Sequence, residues 1–378
     1  MGVTSTGASI LASDLDRILK VNSIINLKLT SSSPVTVGRK AIPDADHPFM
    51  APGSTDIRGG CPGLNVMANY GYISRTGITD IHELMYGMQE MLGFGPDTAA
   101  LLVILGVKAA VDLTTFKLSI GRTDPRTNGV LSSVFGQIPG FFSPLAHNKF
   151  EVDGSLSRVD EYFAQGDTDH FTSEHWKKFR TLSIDHFDGL MTSRFCGAAR
   201  FQAYQDCRNN NPHCQWAIGE QLALYVAQSF VSKTMASAAP DGSSGDPDVK
   251  SIESFFGIFE NDNGTYYRGD NKLLPGPDGF WYRRTVPLSL VEAALTLTDT
   301  YLAFPTEFGR NGGTLGNWNP DLTQLQNVEE AGVICYLLQQ TRDPNHNATY
   351  SNDSSLTEAL GKLFESVLKP IFEELSCS

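Results

Sequence analysis

Long uninterrupted apolar runs are missing from this chain. The longest, Ala99 to Val111, is broken by Lys108 and falls short of the about 20 residues a helix needs to span a bilayer, which excludes a membrane-crossing helix there. Met1 to Thr30 mix Ser, Thr, Asp, Lys and Arg among the apolar positions, so the continuous apolar core of a signal peptide is also lacking. Either the chain stays inside the cell or its signal lies outside this sequence. Positive charge is scarce, with 29 basic against 42 acidic residues, a net charge of -13 and no Lys/Arg-rich run. That balance excludes nucleic acid and anionic membrane surfaces as partners. Internal repeats and low-complexity tracts are absent, which excludes solenoid architectures. No Cys-x-x-Cys pair occurs among the six cysteines, so the usual zinc spacings are missing.

What remains is a 378-residue chain with 41% hydrophobic residues, enough to bury one large core. Its punctuation is by Pro and Gly and its periodicity is helical, with few strand signals. Asp80 and Glu83 read as a capping box opening a helix through Met85, Met88 and Met91 that stops near Gly93. Pro96 starts a second helix, apolar on all sides from Ala99 to Val111 and therefore buried. Further helices are expected at 174–191, 216–237, 288–302, 328–342 and 356–375. Loops rich in Gly, Pro, Asp and Asn separate them. Residues 1–45 read as a polar arm, and 46–378 as a single all-α domain with long ordered loops and few short strands.

The residue with most chemical content is Cys61, in Asp56-Ile-Arg-Gly-Gly-Cys-Pro-Gly-Leu-Asn-Val-Met-Ala-Asn69. Followed by Pro62, it stands at a helix start, where unpaired N–H groups and the positive end of the helix dipole favour a thiolate. One anionic sulfur without a partner cysteine suits haem iron. Attachment of c-type haem needs Cys-x-x-Cys-His, which is absent. A cytochrome P450 loop would carry Phe seven residues earlier, where this chain has Ser54, and would lie late in the sequence. The alternative is a small buried hydrophobe.

Residues 47–77, HPFMAPGSTDIRGGCPGLNVMANYGYISRTG, resemble the proximal segment of the fungal haem-thiolate peroxidases, the chloroperoxidases and unspecific peroxygenases. That family shows Pro-Cys-Pro-x-Leu-Asn followed by Ala-Asn-His-Gly-Tyr. This chain keeps Cys61, Pro62, Leu64, Asn65, Ala68, Asn69, Gly71 and Tyr72, with Gly60 in place of the first proline and Tyr70 in place of the histidine. The resemblance implies a chloroperoxidase-like helical domain, haem b, and Cys61 as its axial ligand. It also implies a disulfide between Cys335 and Cys377. Such a bridge, with sequons at Asn263, Asn347 and Asn352, favours a secreted glycoprotein.

A second constellation lies in Ala146 to Phe163. Glu151, Asp153 and Ser155 offer oxygen donors to a hard cation, or Asp153 and Ser155 cap a following helix. Glu151-Val152-Asp153-Gly154-Ser155 matches the frame of the family's Glu-His-Asp or Glu-Gly-Asp motif. The resemblance then implies Mg²⁺ or another divalent cation held by Glu151, the Val152 carbonyl and Ser155 near a haem propionate, with Phe150 lining the distal pocket. Val152 cannot act as the histidine partner that chloroperoxidases and short peroxygenases use. The chain is therefore nearer the long peroxygenases.

Peroxide activation needs a group that moves a proton between the peroxide oxygens. Glu220 is the only carboxylate between Cys207 and Asp241 and sits among Ala217, Ile218, Leu222 and Leu224. An unpaired charge there is costly, which marks Glu220 as the acid–base candidate against the bland alternative of a solvent-side glutamate. Arg200 and Arg208 are distant candidates for its partner, and His170 and His213 have no assigned place. A third block, Asp278 to Leu295, resembles the family's Trp-Tyr-Arg-Arg segment and reads as an anchor for a late helix. The expectation is a hydrogen-peroxide-dependent oxidoreductase acting on small apolar or aromatic substrates. The alternatives are a haloperoxidase or a haem-binding protein without turnover.

Overall fold

The computed structural model describes residues 29–321 except Leu145, Ala146, Asn148 and Phe150, together with isolated positions between 335 and 373. The helices expected at 328–342 and 356–375, Phe150 and Cys377 thus lie outside the described residues, wholly or in large part.

Helices dominate. In order come β1 (Lys40–Ile42), α1 (Pro62–Asn69), β2 (Ile78–Asp80), α2 (Ile81–Glu90), α3 (Pro96–Ala110) and β3 (Lys117–Ser119). Next are α4 (Val130–Phe135), α5 (Ser173–His186), α6 (Ser193–Asn210), β4 (Gln215–Trp216), α7 (Ile218–Thr234) and α8 (Val249–Phe256). The described chain closes with β5 (Ile258–Glu260), β6 (Tyr266–Arg268), β7 (Trp281–Arg283), α9 (Leu290–Ala303), β8 (Gly309–Arg310) and β9 (Asn319–Pro320). The expectation of a purely helical domain needs correcting, because these short strands form four small antiparallel sheets. Two- and three-residue strands leave no alternation to read in a sequence; they form where tertiary packing lays two loops side by side.

Local chemistry accounts for the helix boundaries. Asp80 accepts from the N–H groups of His82 (2.8 Å) and Glu83 (3.0 Å) and so caps α2. The reciprocal half of the expected capping box is not made. Glu83 instead accepts from Ser74 N–H (3.0 Å) and the Thr79 hydroxyl (2.7 Å), tying the end of the Cys61 region to α2. Pro96 opens α3, most of whose residues are buried, Lys108 included. Thr172, Asp248 and Ser289 cap α5, α8 and α9. Helix α9 packs against both α6 and α7, and α2 packs against α3. Helices α4, α6 and α8 are not foreshadowed by the apolar periodicity; α6 is rich in polar residues, and its buried face of Phe195, Cys196, Ala199, Ala203, Tyr204 and Cys207 includes the charged Arg200.

The Trp-Tyr-Arg-Arg block is an anchor, as its sequence suggests. Trp281 is buried in β7, which pairs with β1. Arg283 donates to Glu90 (3.2 Å), Thr36 O (2.7 Å) and Gly38 O (2.9 Å), and Arg284 forks onto Glu292 in the first turn of α9 (3.1 and 2.8 Å). The described part of the arm is fastened to the same point. Thr36 N–H reaches Glu90 (2.7 Å), and Lys40 bridges Glu90 (3.1 Å) and Asp44 (2.5 Å). Among the described residues no helix is long and apolar enough to cross a membrane.

Partial burial pushes the Asp44 carboxyl up, but hydrogen bonds from Lys40 and His47 and their charges outweigh it and hold its pKa down to about 2. A depressed carboxylate stabilises the fold above its unfolded pKa and loses that contribution as pH falls through the folded value. Asp44→Asn should therefore cost about 1 kcal/mol at neutral pH, a figure reduced for solvent screening of a half-exposed pair. In denaturant titrations, the gap from wild type should close as pH falls from about 4 towards 2.

Candidate active site

Cys61 is the N-cap residue of α1, in extended conformation (φ -87°, ψ 108°), with Pro62 in the first turn. Its side chain is a free thiol. Two asparagines of the motif build the loop around it. Asn65 accepts from Gly59 N–H (3.0 Å) and donates to Gly59 O (2.7 Å) and Asn271 Oδ1 (3.1 Å). Asn69 donates to Asn271 O (2.9 Å) and accepts from Arg58 Nε (2.8 Å). Gly71 holds φ +76° and lies under the Arg75 guanidinium, a conformation that favours glycine. Tyr70, in place of the family's histidine, is buried, and its hydroxyl accepts from Leu273 N–H (3.4 Å). Burial pushes the Cys61 thiol up, while the backbone N–H groups of Leu64 and Gly63 and the Arg158 charge pull in the opposite direction.

Cys61 opens on a cavity of about 310 Å³. Its walls are apolar, drawn from Leu64 of α1, Leu105 of α3, Leu222 and Val226 of α7, Leu297 of α9, and the Phe141 and Phe142 rings. Three cationic side chains, Lys108, Lys149 and Arg158, also reach the lining. Burial pushes the Lys149 ammonium below its ordinary value, with no carboxylate opposing it.

The expected site residues fall in different places. Ser155 lines the cavity; Glu151 and Val152 are buried but do not line it. Both Glu151 oxygens are engaged, Oε1 by Arg158 (2.8 Å) and Oε2 by His147 (2.5 Å). Burial raises the Glu151 carboxyl, yet these two partners leave it below the usual range. The Ser155 hydroxyl accepts from Ser157 N–H (3.3 Å). Neither Asp153 nor Ser155 caps a helix, since 154–172 contains none. Glu220 is buried in the first turn of α7, with Oε1 accepting from Gln215 Nε2 (3.0 Å) and Oε2 lacking any partner. It does not itself line the cavity, although Gly219 before it and Leu224 one turn on do.

Neither expected arginine pairs with Glu220. Arg200 is wholly buried, donates to Gly154 O (2.5 Å) and to Gln221, and lies over Trp216 (4.2 Å from the ring centroid). Arg208 bonds Glu307 (2.7 Å) and the Tyr204 hydroxyl near the surface. His213 sits 5.3 Å from the Tyr162 ring, and His170 3.5 Å from Asp167. The observed partner is Gln215, an uncharged residue that no charge-pairing argument would select.

Behind α7 lies a buried polar block. Asn211 donates to Asp153 (3.4 Å) and Asp160 (3.2 Å), and Asp160 also accepts from Gly154 N–H (2.9 Å). Burial pushes both aspartates up, Asp153 the further, with the Asp160 charge adding to it. Cys207 lies against this pair but is disulfide-bonded to Cys214, so its sulfur is no thiolate ligand and the three do not form a metal site. This bridge, unforeseen in the sequence, joins the end of α6 to the start of β4. The signal was there: the two cysteines are seven positions apart, with the helix-ending Asn211-Pro212 between them. Cys335 is also disulfide-bonded; Cys377, its expected partner, lies outside the described residues.

The family model for "Peroxidase, family 2" matches residues 47–286, more than half of the chain. The chain belongs to this haem-thiolate peroxidase family. It is 27% identical over 358 residues to the aromatic peroxidase fscJ of Fusarium equiseti, covering 88% of this chain and 78% of that protein. It is 26% identical over 284 residues to the dothistromin biosynthesis peroxidase dotB of Dothistroma septosporum, covering 72% and 64%. With an aromatic peroxygenase of Coprinellus radians it shares 28% over 249 residues, covering 66% and 87%. Haem is the cofactor of the family, and the cavity of this peroxidase suits it. A free thiol stands at a helix N-terminus, apolar walls match a flat macrocycle, and the cavity-lining Lys149 suits a carboxylate of the kind haem carries.

Opening the Cys207–Cys214 bridge should loosen the corner that leads into α7. A loop of this length predicts a loss of about 2.5 kcal/mol. Cys207→Ser/Cys214→Ser, measured by urea unfolding, checks it. The Glu220 side of the cavity should be disturbed more than the Cys61 side.

Proposed function

We propose that this protein is a hydrogen-peroxide-dependent haem-thiolate oxidoreductase that oxidises, or inserts oxygen into, small apolar or aromatic molecules. The observation that carries this is the free Cys61 thiol at the head of α1, opening on an apolar cavity. Haem bound there supplies oxidative activation of peroxide. Cys61 would hold the iron as a thiolate, which the N–H groups of Leu64 and Gly63 favour against the opposing effect of burial. The leucines and valines of α3, α7 and α9 exclude water and select apolar substrates. Glu220 is the proposed acid–base group: Gln215 fixes one carboxylate oxygen and Oε2 has no partner, and because the side chain does not line the cavity it would have to turn towards it to move a proton between the peroxide oxygens. The helical core is read as chloroperoxidase-like.

A divalent cation, Mg²⁺, is the proposed ligand of Glu151, the Val152 carbonyl and Ser155. Three oxygen donors within one turn suit it. His147 and Arg158 already hold the Glu151 carboxylate, so a cation would have to displace at least one of them. A secretory destination is the proposed localisation, supported by two disulfide-bonded segments and by the exposed sequon asparagine Asn263 in the β5–β6 turn.

The reduced carbon monoxide complex of the haem-loaded protein should show the red-shifted Soret band of thiolate ligation, and Cys61→Ala should lose it. A histidine-type spectrum would sink the reading. Glu220→Gln should keep haem and lower peroxide-dependent hydroxylation of a simple aromatic by about 10²–10⁴-fold. Full activity in that variant removes Glu220 from the mechanism. Halogenated product in the presence of halide would favour the haloperoxidase alternative, and retained haem without any turnover the carrier alternative. Elemental analysis of the purified holoprotein should find one Mg²⁺ per chain, lost in Glu151→Gln.

A further inference from the structure

The loop ahead of Cys61 carries two successive glycines, and neither adopts the left-handed region in which glycine is favoured. Space requires them instead. A Cβ on Gly59 would lie 2.7 Å from the Phe142 ring and 2.5 Å from Ile120 O. A Cβ on Gly60 would lie 2.7 Å from Arg158 Cδ, 2.8 Å from Arg158 Nε and 2.7 Å from Phe142 Cε1. Phe142 and Arg158 thus lie directly on the backbone that delivers the sulfur. Position 60 is also where the chain departs from the family's Pro-Cys-Pro pattern.

Arg158 is 3% exposed and held from several sides. Nη1 donates to Glu151 (2.8 Å) and Thr168 O (2.8 Å), and the guanidinium carbon is 5.2 Å from the Phe142 ring centroid. Its Nε–H is buried and has no partner. The side chain lines the same cavity as Cys61. A buried, immobilised guanidinium, paired with Glu151 through Nη1 but keeping an unspent Nε–H beside the loop that delivers the sulfur, would draw electron density from a sulfur that ligates a metal.

We propose that Arg158 is a positioning residue for the proximal ligand: admitted by Gly60, its guanidinium sets the electron donation of the Cys61 thiolate and thereby raises the reduction potential of the bound haem iron. The inference rests on the haem-thiolate reading. Gly60 is then a specificity device for the ligand's environment, since any side chain there pushes Arg158 away.

The test uses haem-loaded full-length protein and reads the ferric/ferrous midpoint potential, the iron–sulfur stretching frequency by resonance Raman, and the rate of haem transfer to apomyoglobin. Gly60→Ala and Arg158→Met should each lower the potential and raise the stretching frequency. Their combination should do less than the sum of the two single changes, because the alanine acts in part through Arg158, the rest being its contact with the Phe142 ring. Arg158→Lys should recover part of the potential. Unchanged potential and frequency in Arg158→Met and Gly60→Ala would overturn the proposal, as would additive shifts. Faster haem loss with an unshifted frequency would also overturn it, assigning Arg158 to a haem carboxylate instead. If Arg158→Met does not fold, Gly60→Ala and Arg158→Lys decide by the same two readouts. A wild-type carbon monoxide complex without the thiolate band would defeat the haem-thiolate reading itself and is scored separately.

Discussion

Asn65 closes the Cys61 loop, and the site depends on that closure. By accepting from Gly59 N–H and donating to Gly59 O and Asn271 Oδ1, one side chain converts a glycine-rich stretch into a rigid turn. The turn aims the thiol at the cavity instead of the solvent. Asn69 repeats the device one turn later by reaching Asn271 O, so the segment around residue 271 backs α1 although about two hundred residues separate them in the chain. Each of these amides is buried, where an unpaired polar group would cost about 1–3 kcal/mol. The network therefore enforces its own geometry.

The opposite wall is held by different means. Helix α7 presents a mostly small and apolar face to the cavity, with Gln228 and Thr234 among its lining residues, and sends Gln221 backwards. There Gln221 receives Arg200 and donates to Asp153 O (3.3 Å), and Asn211 links the two raised-pKa aspartates. The Cys207–Cys214 bridge shortens the connection from α6 into this helix. One wall is thus built on amide hydrogen bonds around a thiol, and the other on a buried ionisable block behind a carboxylate. Such an arrangement separates the thiol proposed to hold the iron from the carboxylate proposed to serve the peroxide.

Much of the proximal side was legible in the primary structure, because it is local. Cys61, Pro62 and the asparagines lie within nine residues, and helix N-capping is decided within a turn. The boundaries of α2 and α3 were legible for the same reason. What was not legible is what distant segments bring to one point. Arg158 lies nearly a hundred residues after Cys61, Gln215 pairs with Glu220 through a neutral amide, and α6 is too polar for its buried stripe to stand out. The short sheets escaped because strands of two or three residues carry no periodicity.

The sequence by itself determined the thiol at a helix start, the carboxylate-and-hydroxyl motif at Glu151 to Ser155, the family resemblance and the helical character of the chain. Each is a property of adjacent residues. Only the tertiary structure decided that Glu151 is spent on His147 and Arg158, that Glu220 keeps one buried oxygen without a partner, and that Gly60 is the space into which Arg158 folds. The reason is physical: burial and pairing are made by segments far apart in the chain, and they alone settle which charges remain available for chemistry.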